Sequence, residues 1–119
     1  MKKVLIIGGL GFIGFNTALY LFKKKKYKIT IIDNFTGASS KRNFFILKKN
    51  NVKIPVFKTN VKNFSKINEL IKKINPVTIY NLSGQVAVTK SIQNPKQDFE
   101  DNLLSTFNIL EAIRNYNKK

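Results

Sequence analysis

The chain has 119 residues, 43% of them hydrophobic, and a net charge of +16 from 22 Lys and Arg against 6 Asp and Glu. That is the length of one domain, residues 1–119, with the composition of a folded chain and not a disordered one. Cysteine and histidine are both absent, which excludes disulfides, thiol nucleophiles and the common zinc ligands, so no metal is expected.

The apolar stretch after Met1-Lys2-Lys3 is only Val4 to Ile7 before glycines begin. That is too short for an export signal, and no run approaches the ~18 residues of a membrane span. The expected location is the cytoplasm, with no membrane partner. The Asn-x-Ser/Thr triplets at Asn34, Asn63 and Asn81 then read as chance matches. The positive charge has two readings, a nucleic-acid partner or a lysine-rich composition on solvated faces. Lys23 to Lys26, Lys48-Lys49, Lys72-Lys73 and Lys118-Lys119 fall mostly where helices end, which the helix dipole favours. The reading adopted is the solvated one, with nucleic-acid binding through the net charge kept as the weaker alternative.

In chain order, Lys3 to Ile7 reads as a buried parallel strand because it is continuously apolar and β-branched. Gly11 to Lys24 has helical spacing, with Phe12, Phe15, Leu19 and Phe22 on one face. Lys28 to Asp33 predicts a second strand, Asn34 to Lys41 a polar loop, and Arg42 to Lys49 a short helix. Val52 to Lys58 predicts a third strand, and its Pro55 suits an outer position. Asn63 caps a predicted helix whose apolar face is Phe64, Ile67, Leu70, Ile71 and Ile74. Thr78 to Leu82 predicts a fourth strand, Ser83 to Gln97 a loop, and Asp98 to Tyr116 a last helix burying Phe99, Leu103, Phe107, Leu110 and Ile113. Alternation of strands and helices implies an α/β fold with a doubly wound parallel sheet, in strand order 3-2-1-4.

Between the first strand and helix stands Gly8-Gly9-Leu10-Gly11-Phe12-Ile13-Gly14. Gly8 permits a sharp turn, Gly11 leaves a pyrophosphate room to approach the backbone, and Gly14 lets the helix pack on the strand. The helix N-terminus then offers free N–H groups and a positive dipole end. A Walker loop is excluded, because Phe15 stands where its lysine belongs. Asp33 ends the second strand, where a carboxylate accepts from ribose hydroxyls and repels a 2′-phosphate. The expected cofactor is therefore NAD in preference to NADP.

With these motifs the sequence resembles the extended short-chain dehydrogenase/reductase family, the NAD-dependent epimerases and dehydratases of nucleotide sugars. The likeness rests on Gly8 to Gly14 and Asp33-Asn34 and extends over the whole chain. Gly84-Gln85-Val86-Ala87, with Ser91-Ile92-Gln93-Asn94-Pro95 and Asp98-Phe99-Glu100 before Asn102, is similar to the CDP-paratose 2-epimerase subgroup. The resemblance implies a Rossmann-type sheet and assigns roles. Phe12 and Ile13 would offer backbone N–H groups to the pyrophosphate. Asp33 and Asn34 would hold the adenosine ribose, and Asn60 and Val61 would contact the adenine. Leu82, Ser83 and Gly84 would line the nicotinamide side. Gln85, Val86 and Thr89 would face the substrate sugar, and Asn102 would buttress the cofactor loop. The partners implied are NAD and a nucleotide sugar, a CDP-sugar in the subgroup, with a homodimer open to an intact enzyme. The sequence departs from the family at Asn60, usually Asp, at Asn81 and Ser83, usually His and Ala, and at Ser105, usually Gly.

The family's chemistry needs a Tyr-x-x-x-Lys helix and a Ser or Thr from a fifth strand. The match in this sequence, Tyr20 to Lys24, falls in the first helix and reads as surface. No catalytic residue is therefore assigned. The expectation is the cofactor-binding part of an epimerase, inactive by itself, from a truncated frame or split gene with the sheet ending after four strands. The alternatives are a 4-epimerase, a 4,6-dehydratase or a dinucleotide-binding module without chemistry.

Overall fold

The computed structural model describes residues 1–116; Lys118 and Lys119 lie outside them. Strand β1 (Lys2–Ile7) is the centre of the molecule. Its alternation splits the core in two. Val4 and Ile6 enter one apolar cluster with Phe15, Ala18, Ile31 and Leu47. Leu5 and Ile7 enter the other, with Ile32, Ile67, Ile71 and Ile109. A strand buried on both faces must be apolar at consecutive positions, which is why it shows no polar alternation.

Helix α1 (Phe12–Lys23) leads to β2 (Tyr27–Asp33), then α2 (Ser40–Lys49) and β3 (Val56–Lys58). After α3 (Phe64–Ile74) the chain returns to β4 (Thr78–Asn81). All pairings are parallel, in the order β3-β2-β1-β4. The sheet is the expected Rossmann-type doubly wound arrangement. One apolar cluster lies between the sheet and α1 and α2, the other between it and α3 and the final helix. Asn63 caps α3 as expected, its Oδ1 accepting from Lys66 N–H at 3.2 Å, and Ile67, Leu70 and Ile71 are buried.

Four expectations are corrected. The third strand begins at Val56, not Val52. Pro55 has no N–H to pair, although its carbonyl accepts from Ile31 N–H at 2.9 Å. The segment from Ser83 to Gln97 is not all loop. It holds α4 (Val88–Gln93) and the start of α5 (Pro95–Phe99). Asn94 Oδ1 accepts from Gln97 N–H at 3.1 Å, and Pro95 occupies the first turn, so the start signals are those of an ordinary helix. A π-helical turn, Glu100–Leu104, joins α5 to α6 (Ser105–Tyr116).

The other two corrections concern helix faces. On α1 the buried residues are Gly14, Phe15 and Ala18, while Phe12 is 80% exposed. Phe12 opens the first turn, which projects past the sheet. On α6 the inward residues are Ser105, Asn108, Ile109 and Ala112, while Phe99, Leu103, Phe107 and Leu110 are all exposed. Small residues admit α6 close to its neighbours, and Asn108 Nδ2 donates to the carbonyls of Val61 and Lys62 at 3.1 Å each. Those hydrogen bonds and that close approach select one of two stripes that share the same period.

Candidate functional site

The chain runs β1, β2, β3 outward and then returns to place β4 on the other side of β1. A sheet whose order reverses in this way opens a crevice beyond the carboxyl ends of its strands. A groove of about 630 Å³ lies there, lined by the ends of β1, β2 and β4 and by the segments after them.

The glycine loop forms its floor. Gly8 has φ +75°, and a Cβ at that position would meet the Leu82 carbonyl oxygen at 2.6 Å. At Gly14 a Cβ would lie 2.7 Å from Gly9 Cα and against the Gly8 carbonyl oxygen. Gly11 differs from both. A Cβ there would meet only the Gly8 carbonyl oxygen, at 3.4 Å, and Gly11 lines the groove. The fold requires the first two glycines, whereas the bareness of Gly11 serves whatever enters from the groove. No side chain caps α1, and its first turn has no acid. Its leading N–H groups and positive dipole end are open to an anion.

Asp33 ends β2 and is buried. Its Oδ2 accepts from Leu10 N–H at 2.9 Å and its Oδ1 from Phe35 N–H at 2.8 Å. One carboxylate thus ties the glycine loop to the end of the second strand. Each oxygen retains acceptor capacity toward the groove that Asp33 lines. Asn34 Oδ1 accepts from the Thr36 N–H and hydroxyl, at 3.1 and 2.8 Å, and Asn60 Oδ1 accepts from Lys62 N–H at 3.0 Å.

The wall opposite is built from the segment after β4. Asn102, in the π turn, accepts from Gln85 N–H at 2.8 Å and donates to the Gln85 carbonyl and to Asp98 Oδ1, both at 3.0 Å. Gln85 Nε2 donates to the Ala87 carbonyl at 2.9 Å and to Asp98 Oδ1 at 3.2 Å. Gly84 has φ +138°, and a Cβ on it would meet Asn102 Oδ1 at 2.6 Å. A single amide therefore holds the backbone of the wall in register. Asn102→Ala is expected to speed hydrogen exchange at the Gln85 amide, and at the Ala87 amide, which donates to Gln85 Oε1, by about tenfold, the equivalent of one lost hydrogen bond of ~1.4 kcal/mol, with little change in melting temperature. Unchanged exchange at these amides would show that the wall stands without Asn102.

Of the residues singled out in the sequence, Gly8, Gly11, Asp33, Asn34, Asn60 and Val61 line the groove, as do Leu82, Ser83, Gly84, Gln85 and Val86. Gly14 is buried beneath the loop, and Asn102 acts through Gln85. Phe12 and Ile13 expose their side chains at the start of α1, and Thr89 is exposed on α4 outside the lining. Tyr20 and Lys24 do not line the groove; the Lys24 ammonium lies 4.8 Å from the centre of the exposed Tyr20 ring. Sequence reasoning missed Thr36 and Ser40, which line the groove after Asn34, and Lys62, whose ammonium pairs with Asp101 at 3.1 Å in the same lining. The signal for the first two was the Gly37 turn directly after Asp33-Asn34. No local signal pairs Lys62 with Asp101, because they meet only through the packing of the π turn.

The chain is similar over nearly its full length to sugar-nucleotide enzymes. It is 36% identical to the CDP-paratose 2-epimerase of Salmonella typhi over 115 residues, covering 97% of this chain and 33% of that protein. It is 29% identical to the UDP-glucose 4-epimerase of Mycoplasma genitalium, covering 98% of this chain and 33% of that one. Among solved structures, the UDP-glucose 4-epimerase of Thermus thermophilus, a complex with NAD, superposes with a TM-score of 0.84 at 27% identity, over 97% of this chain and 34% of that one. The UDP-Glc/GlcNAc 4-epimerase of Campylobacter jejuni superposes with a TM-score of 0.86 at 27% identity, over 98% and 34%. The chain thus spans about a third of the length of the curated relatives it matches. Its sheet order, its glycine loop and a match running over residues 5–119 establish that it belongs to the family described as GDP-mannose 4,6 dehydratase.

Proposed function

We propose that this chain is the NAD-binding part of a sugar-nucleotide epimerase or dehydratase. The observation that carries the reading is Asp33, which lines the groove while its carboxylate holds the glycine loop through Leu10 N–H at 2.9 Å. Gly11 and the uncapped start of α1 would receive the pyrophosphate, with Phe12 and Ile13 contributing backbone N–H groups. Asp33 and Asn34 would hold the adenosine ribose, and Asn60 and Val61 would border the adenine. Leu82, Ser83 and Gly84 would flank the nicotinamide. Bound there, NAD supplies reversible hydride acceptance from a sugar carbon. The residues of this chain would orient the dinucleotide and wall off one side; Gln85 and Val86 would face the sugar, whereas Thr89, expected beside them, lies outside the groove lining.

The likeness to the Salmonella typhi protein supports a CDP-sugar and 2-epimerisation as the finer assignment, ahead of a 4-epimerase or 4,6-dehydratase. A second reading, a dinucleotide-binding module without chemistry of its own, is favoured by the groove lining, which among the described residues contains no tyrosine.

Titration of the chain with NADH and NADPH, followed by nicotinamide fluorescence at moderate salt, tests the proposal. NADH is expected to bind saturably and at least about tenfold more tightly than NADPH, since a 2′-phosphate beside Asp33 loses roughly 1.4 kcal/mol or more to like-charge repulsion. A folded chain that binds neither nucleotide would overturn the assignment.

A further inference from the structure

Composition sets how many lysines a chain has but not where folding puts them. In a parallel sheet the strands all begin at one edge, and the connecting helices all end there. In this chain that edge collects cations from every connection. Lys23 ends α1 and the turn to β2 is Lys24 through Lys26, while Lys2 at the start of β1 donates its N–H to the Lys26 carbonyl at 3.3 Å. Helices α2 and α3 arrive at the same edge with Lys48-Lys49 and Lys72-Lys73 in their last turns. Val77, leading into β4, donates to the Lys3 carbonyl at 2.9 Å, which joins the end of α3 to the start of β1.

The helix dipole accounts for the lysines in last turns. It does not account for Lys2, Lys3, Lys28 and Lys53, or for Lys24 through Lys26, which lie in strand starts and turns. Nor are these charges neutralised by any ion pair among the described residues. Of the 6 Asp and Glu side chains, Asp33, Asp98 and Asp101 line the groove at the opposite end, and Glu100 lies in the π turn beside them. The remaining two pair with other cations, Glu69 with Lys66 and Glu111 with Arg114. Among the described residues none of the edge lysines stands in an ion pair. Lys24, Lys48 and Lys73 lie over aromatic rings at 4.8, 5.3 and 5.8 Å, contacts that orient an ammonium without neutralising it.

We propose that this lysine edge, at the far end of the sheet from the groove, binds the phosphodiester backbone of duplex nucleic acid without regard to sequence. An unneutralised row of ammonium groups is sufficient for that ligand, because counterion release alone drives backbone binding. Interfacial binding to a bilayer needs an apolar face as well, and among the described residues the large hydrophobics exposed at these turns and the last turn of α1 are Met1, Tyr20, Phe22 and Val77, with the Lys24 ammonium lying over the Tyr20 ring. Among the described residues the turns of the edge hold no arginine, and Arg114 in the last turn of α6 is gripped by Glu111 through two hydrogen bonds, so no free guanidinium fork is offered to a base edge and the contact is to backbone alone.

The test is fluorescence anisotropy of a labelled 20-base-pair duplex with the whole chain across a salt series. The expected result is saturable binding, unchanged by scrambling the duplex sequence, with log K falling against log salt at a slope of about −4, the release expected for four to five phosphates. Lys24→Glu, Lys26→Glu and Lys72→Glu together should weaken binding at least tenfold and flatten that slope, while circular dichroism and NADH titration stay as in the parent chain. Lys41→Glu, Arg42→Glu and Lys96→Glu, which make the same change of net charge at the groove end, should weaken it less than threefold. Equal losses in the two triple variants would show a response to total charge and overturn the edge assignment. Absence of saturable duplex binding, or tighter binding to phosphatidylserine vesicles than to duplex, would overturn it as well. Neither outcome bears on the NAD site, which the NADH titration reads separately.

Discussion

Asp33→Ala is expected to lower both stability and NADH affinity, and by separable amounts. The carboxylate accepts two backbone N–H groups, from Leu10 and Phe35, at 2.9 and 2.8 Å. Hydrogen bonds to a charged acceptor contribute about 1.5–3 kcal/mol each when the donor has no substitute. The groove lets water reach part of this site, so the expected loss is about 2 kcal/mol, or roughly 8 °C in melting temperature for a chain of this size. Losing the ribose contacts as well should weaken NADH by about a hundredfold, some 2.7 kcal/mol, and abolish the preference over NADPH. Asp33→Asn separates the roles. Its amide has one acceptor oxygen, so it can serve Leu10 or Phe35 but not both, and it presents no charge to a 2′-phosphate. It should regain part of the stability and none of the NADH preference. An Asp33→Ala chain that melts like the parent would contradict the clamp, and one that keeps the preference would contradict the ribose role.

The second large effect is expected at Gly14. A methyl group there meets Gly9 Cα at 2.7 Å and presses on the Gly8 carbonyl oxygen. Both are backbone atoms of a loop already held by Gly11 N–H to the Gly8 carbonyl at 3.2 Å, so neither can yield locally. Alanine is worth about 1 kcal/mol over glycine inside a helix. Overpacking against fixed backbone costs about 3 kcal/mol or more, so Gly14→Ala should still be destabilised by about 2 kcal/mol net, visible as a lower urea midpoint with unchanged slope. Gly11→Ala is the control. Its methyl would meet one oxygen at 3.4 Å, so stability should change by under about 0.5 kcal/mol while NADH affinity falls. If both variants unfold alike, the loop is strained throughout and the division of labour between the glycines is wrong.

The stability of this sheet and the binding reading meet at one physical point. The loop proposed to receive a pyrophosphate is also the loop that closes β1 onto α1. Asp33 and Gly14 hold its shape, and Gly11 keeps its open side bare. A fold built this way can present N–H groups to an anion without a cap of its own.

Much of this was legible in the residues. A run such as Val4 to Ile7, apolar at every position, can only be a strand buried on both sides, and it is. The spacing of Gly8, Gly11 and Gly14, Asp33 at the end of β2, and Asn63 before α3 are local signals, because each acts within a turn of its own backbone. Pro55 marked an outer strand for the same reason. What residue order does not contain is the choice between equivalent local solutions. Helix α6 carries two stripes of the same period, and Asn108 reaching the carbonyls of Val61 and Lys62 turned Leu103 and Phe107 outward. Asn102 was placed behind the wall by resemblance alone. That it grips Gln85 through both N–H and carbonyl depends on a π turn that periodicity does not reveal. The lysines show the same division. Their number was in the composition, and their places near helix ends in the order. Only the parallel sheet, which brings every strand start and every helix end to one edge, gathered them there and left most of the carboxylates at the other.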